Sequence, residues 1–133
     1  MGIEINKSID IEDAIRSALD PYMKVYCRPL PEDFDVPCIL VNQVGGNTDS
    51  TNTGKGKIDT FTVVLDARAN IEADAVEYLN NAVAILEKTK QSGFSYVAVN
   101  SLYSWETDPV RPDLAMCSAT LRVTAHRKNI TLD

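Results

Sequence analysis

One stretch, Asn70 to Gly93 (NIEADAVEYLNNAVAILEKTKQSG), sets the terms for everything else in the chain. At about 100° per residue, Val76, Leu79, Val83 and Leu86 share one stripe of a helix. Ala75 and Ala82 widen the stripe, and Tyr78 and Ile85 carry it to about half the circumference. Asp74, Glu77, Asn81 and Lys88 fill the other side. Asn70 is the predicted N-cap, Glu72 and Asp74 suit the positive end, and Lys88, Lys90 and Gly93 suit the finish. So broad an apolar arc is driven out of water, and a flat apolar surface must cover it. The remaining segments have to supply a sheet.

Strand periodicity is present on both sides of that helix. Before it, Met23 to Arg28 alternates Met23, Val25 and Cys27 with Lys24, Tyr26 and Arg28. Cys38 to Val44 begins apolar on both faces and reads as a central or doubly covered strand. Ile58 to Ala69 turns Phe61, Val63, Leu65 and Ala67 inward, with Thr60, Thr62, Asp66 and Arg68 largely outward. After the helix come Phe94 to Trp105, rich in aromatics, and Met116 to Arg127. The latter sets Cys117, Ala119, Leu121, Val123 and Ala125 against Ser118, Thr120, Arg122, Thr124 and His126, one buried face and one wet one. A first helix is expected over Ile9 to Leu19, capped by Ser8 or Asp10 and stopped at Asp20-Pro21, because the residue before a proline avoids the helical region. The fold class is therefore α+β. A mainly antiparallel sheet of about five strands carries two helices on one face, in the order α-β-β-β-α-β-β. At 133 residues the chain is expected to form one domain, residues 1–133.

Composition narrows the function classes. A hydrophobic content of 44% with 24% charged residues is that of a globular domain. No apolar run approaches the ~20 residues of a membrane span, and the opening MGIEINKSID lacks the basic-then-apolar pattern of a signal peptide. A formal charge of −6 works against sequence-independent nucleic-acid binding, and no sequence-specific nucleic-acid motif is present. The basic candidates, Lys55 with Lys57 and Arg122 with Arg127 and Lys128, read as solvated strand ends. Cys27, Cys38 and Cys117 contain no C-x-x-C pair, so neither a disulfide framework nor a metal-binding set is expected.

Catalytic candidates are few. His126 reads as a surface histidine. Glu106 and Asp108 flank a proline turn in which acidic residues have conformational uses. The loop PLPEDFDVP gathers Glu32, Asp33 and Asp35 without the oxygen spacing of a calcium loop. Gly45 to Lys57 (GGNTDSTNTGKGK) has no apolar side chain to anchor it. Its Gly54-Lys55 imitates a phosphate loop, but seven residues separate Gly46 from Gly54, and a strand follows where a helix is needed. No enzyme, cofactor or metal ion is expected. Trp105 and Tyr103 are of the type that packs a core rim or anchors an interface.

Taken together, the segments resemble the tail-terminator (tail-completion, or neck) proteins of long-tailed bacteriophages with non-contractile tails. The likeness runs through the opening helix, KVYCRPLP, DVPCILVNQVGG, DTFTVVLDARA, the long helix and YVAVNSLYSWETDPVRPDLAMCSATLRVTAHR. It implies a structural virion protein, made in the host cytoplasm. Such a protein forms a ring, typically hexameric, on the finished tail tube, stops tube polymerisation and offers a surface to the head connector. Its implied partners are copies of itself, the tail-tube protein and the connector or stopper protein. The assembly contacts assigned here are our own. They are the helix flank at Tyr78 and Ile85 and the turn containing Trp105, Glu106, Asp108 and Arg111. The polar loop adds Gly45, Gly46, Asn47, Thr48, Asp49, Thr53, Gly54, Lys55 and Lys57. The alternatives are a head-completion or stopper protein of the same neck and a cellular α+β domain that binds a small ligand.

Overall fold

The long helix buries the side its periodicity marks. A computed structural model describes residues 2–48, 58–88, 94–109 and 111–133, with backbone alone at 48, 94–96, 98 and 100–107. Within it α2 spans Glu72–Lys88 and buries Ala75, Leu79, Ala82, Val83 and Leu86, while Val76, Tyr78 and Ile85 pack at the margin. Leu79 and Leu86 are almost fully withdrawn from water, which stabilises the fold by about 1.5–3 kcal/mol each. The predicted cap is displaced by one residue: the Ala75 N–H donates to the Ile71 carbonyl, so Ile71 holds the cap position and Asn70 precedes it. Lys90 and Gly93, assigned to the helix finish, lie outside the described residues.

A five-stranded sheet covers α2. Its order is β2 (Val25–Cys27), β3 (Cys38–Thr48), β4 (Ile58–Ala69), β6 (Ala115–His126) and β5 (Phe94–Thr107). β2 and β3 run parallel and every other pairing is antiparallel. α2 lies over β4 and β6, and α1 (Ile11–Leu19) over β2 and β3. Both helices share one core with Ile39, Val41, Val63, Leu65, Leu121 and Val123. The α+β class, the sheet and the two helices on one face agree with the periodicity.

Several expectations are corrected in detail. The opening helix begins at Ile11, two residues later than expected, because Asp10 caps it by accepting the Asp13 N–H at 3.2 Å, and Ile9 packs on the core ahead of the cap. Asp20 keeps helical dihedrals (φ −53°, ψ −38°) although a proline follows it. The helix stops there because Pro21 has no N–H to donate. The Tyr22 and Met23 N–H groups both turn back to the Leu19 carbonyl. β3 runs four residues past its expected end, so Gly45, Gly46, Asn47 and Thr48 are strand, paired with Thr62, Phe61, Thr60 and Asp59 across a bulge after Gln43. A Cβ at Gly46 would lie 3.0 Å from the Thr60 carbonyl oxygen, a contact tighter than ordinary packing.

The second face of the sheet is not uniformly wet. Arg68, expected largely outward, is 6% exposed, and Met116 and Ser118 are buried beside it. The loop from Pro29 to Pro37, bounded by cis Arg28-Pro29 and Val36-Pro37, folds under this end and buries Phe34 against Cys38 and Leu114. Glu32, Asp33 and Asp35 remain exposed. Burial pushes the Cys38 and Cys117 thiols up to about 11, as expected of cysteines serving as small apolar residues.

Two strands were not anticipated. β1 (Ile3–Lys7) and β7 (Lys128–Leu132) pair antiparallel as a separate two-stranded ribbon. The described order is thus β-α-β-β-β-α-β-β-β.

Candidate assembly surfaces

The connection between β5 and β6 is held by a buried clasp. The Asp108 carboxylate is 1% exposed. It accepts the Arg68 Nε–H at 2.5 Å on one oxygen and the Arg111 backbone N–H at 2.8 Å on the other. The Arg111 guanidinium donates to the Phe34 carbonyl at 3.2 Å and lies 5.0 Å from the centre of that ring, with Arg68 at 5.8 Å from the same ring. One carboxylate therefore ties β4 to the turn before β6, and Phe34 joins both to the proline loop. Asp108 works inside the subunit, while Arg111 is half-exposed beside it. Trp105 and Glu106 pair through their backbones with Cys117 and Met116.

Tyr78 and Ile85, about two helical turns apart, have different surroundings. The Tyr78 hydroxyl accepts the Lys24 backbone N–H at 2.6 Å, fastening α2 to the chain that enters β2. Tyr78→Phe leaves that donor without its partner and is expected to lower stability by about 0.5–1.5 kcal/mol, read as a reduced urea midpoint with an unchanged slope. Ile85 lines a shallow groove of about 390 Å³ with Tyr22, Met23, Asn81, Ala84 and Lys88. Tyr22 is 71% exposed.

Among the described residues, the ribbon carries two of the five large hydrophobic side chains that stand well exposed. Its register sets Ile3 opposite Leu132 and Ile5 opposite Ile130, so four aliphatic side chains share one face. Glu4, Asn6, Asn129 and Thr131 take the other, where the Asn6 side-chain amide donates to Asn129 at 2.7 Å. Ile3 is 66% and Leu132 50% exposed. Among the described residues neither strand packs appreciably on any other element. Arg127 steadies the base of the ribbon, reaching both Asp59 oxygens at 3.2 Å and the Asn6 carbonyl at 3.5 Å.

Beside that base, an open cleft of about 840 Å³ lies between α1 and the end of β6. It brings Ser8, Asp10, Asp13 and Ser17 around His126, a gathering that local spacing does not show. Several of these groups are engaged nearby. Asp10 caps α1, Asp13 pairs with Arg16 at 2.5 Å, and Arg127 holds Asp59. Elsewhere Glu12 joins three elements by accepting from Arg28 at 2.8 Å and from the Gln43 N–H at 2.9 Å. Partial burial pulls its pKa upward, but the Gln43 N–H and the Arg28 guanidinium outweigh that pull and hold it below the usual carboxylate value.

Of the polar-loop contacts, Asp49, Thr53, Gly54, Lys55 and Lys57 lie outside the described residues, and Gly45 to Thr48 belong to β3. The ribbon was missed altogether. Its signal, the alternation in IEINK and KNITL, is present but only five residues long at each site. No protein-family model matches the chain, and no curated protein matches it.

Proposed function

We propose that this chain is a structural assembly protein of the tail-terminator kind. In this reading, copies form a ring, hexameric in the family it resembles, on the end of a phage tail tube. The ring ends tube growth and presents the surface on which the head connector seats. The protein works by surface complementarity and not by chemistry of its own, and its place is the virion neck.

The observation that carries this reading is the apolar face of the β1–β7 ribbon, left in water. Exposed apolar surface of that kind marks a contact with another macromolecule. A two-stranded ribbon is also marginal in water by itself, and a docked partner would supply what it lacks. The turn clasped by Asp108 adds a rigid surface beside Arg111. A negative overall charge suits a ring through which DNA passes without being held.

A second reading, a domain that binds a small ligand, has the His126 cleft in its favour. It is weaker because Asp10, Asp13 and Arg127 are already committed to neighbouring groups.

The deciding experiment polymerises the tail-tube protein with and without this chain and measures tube lengths by electron microscopy. A ring that seats on the growing end shortens the tubes and narrows their distribution as its concentration rises. Equal length distributions at every ratio rule out tail termination.

A further inference from the structure

We infer that the β1–β7 ribbon of one copy seats in the groove lined by Tyr22, Met23, Ala84 and Ile85 on a second copy. This names the contact between copies within the assembly reading above and rests on it. Three observations lead to the pairing. The first is chemical. Among the described residues five large hydrophobic side chains stand well out in water; Ile3 and Leu132 cap the ribbon and Tyr22 walls the groove.

The second is dimensional. The aliphatic strip from Ile3 to Ile5 is about 7 Å long at strand rise. The groove floor from Asn81 to Lys88 is about 10 Å at helical rise, long enough to take it.

The third is charge. The ribbon is acidic at its outer end, with Glu4 and Asp133, and basic at its root, with Lys7 and Lys128. The groove ends on the basic Lys88, and the exposed, acidic Glu77 lies on α2 one turn before its other end at Asn81. Laid with its outer end toward Lys88, the ribbon meets opposite charge at both ends.

The position of the two surfaces makes the occupant another copy. The root of the ribbon lies beside Asp10 and Asp13 at the start of α1, whereas the groove uses Tyr22 and Met23, just beyond the end of α1. Every copy therefore offers one ribbon and one groove at separate places. Such a head-to-tail contact yields a closed ring or an open chain according to the rotation between neighbours.

The test mixes two preparations in a Cys27→Ser background: Ile3→Cys, and a size-tagged Ala84→Cys. Both substituted positions are exposed. Under mild oxidation the mixed disulfide dimer should form at least about tenfold faster than with Glu32→Cys in place of Ala84→Cys. In parallel, the double variant Ile3→Asp with Leu132→Asp should associate at least about tenfold more weakly by light scattering, with its melting temperature unchanged. Oligomers that form without preferential cross-linking, or that the double variant leaves intact, overturn this docking while leaving the tube-capping role standing. Absence of both oligomers and cross-links at every concentration overturns it as well, and tube length then decides the role separately.

Discussion

Asp108→Ala is expected to cost about 3–5 kcal/mol, the range for removing one partner of a buried ion pair. The reason is the charge left behind. Arg68 has a side chain only 7% exposed, set among Cys38, Phe34 and Met116, and its Nη1 finds no partner among the described residues. Once Asp108 is gone, the Nε–H loses its acceptor too, and a guanidinium cannot shed its proton to escape. The same substitution frees the Arg111 N–H and loosens the turn that leads into Leu114 and β6. Urea unfolding measures the loss. Arg68→Met combined with Asp108→Leu should recover most of it, because an apolar pair of similar volume needs no compensating charge. A loss below about 1 kcal/mol for Asp108→Ala would mean that water reaches the pair.

This clasp also shows what the sequence hides. Arg68 occupies an outward position of a well-alternating strand, and alternation reports only which face a residue takes. Whether that face is wet depends on what folds across it. Here the cover is Phe34, from a loop whose prolines and acids announce a turn but not its destination. Asp108 is likewise forty residues away from Arg68 in sequence, beyond the reach of any local pattern. By contrast Val76, Leu79, Val83 and Leu86 declare themselves, because seventeen consecutive helical residues repeat one rule against one sheet. β4 does the same over twelve residues. The ribbon lies at the other extreme. Its two strands are short, and each makes sense only when paired with the other, more than a hundred residues distant. Asp20 is instructive in a different way. The missing proline donor ends the helix even though the preceding residue stays helical.

Leu79→Ala is the second large effect, with an expected loss of about 2–5 kcal/mol. Leu79 is fully enclosed between α2 and the sheet, among close-packed neighbours that relax only partly when its side chain is removed. Ile85 is the informative contrast. It lies six residues further along the same helix, at the edge of the core, with part of its aliphatic surface facing the Tyr22 groove. Ile85→Ala is therefore expected to cost on the order of 1 kcal/mol in the single subunit, because less apolar area leaves water there on folding. On association the order should invert. Leu79→Ala, studied where it is still folded, reaches no other copy and should leave the association constant nearly unchanged. Ile85→Ala should weaken association, since it removes the floor on which a second copy packs. Urea unfolding of dilute protein gives the first quantity and light scattering over a concentration series gives the second. If both variants lowered stability alike and left association untouched, the margin of α2 would belong to the core alone, and the contact between copies would have to lie elsewhere.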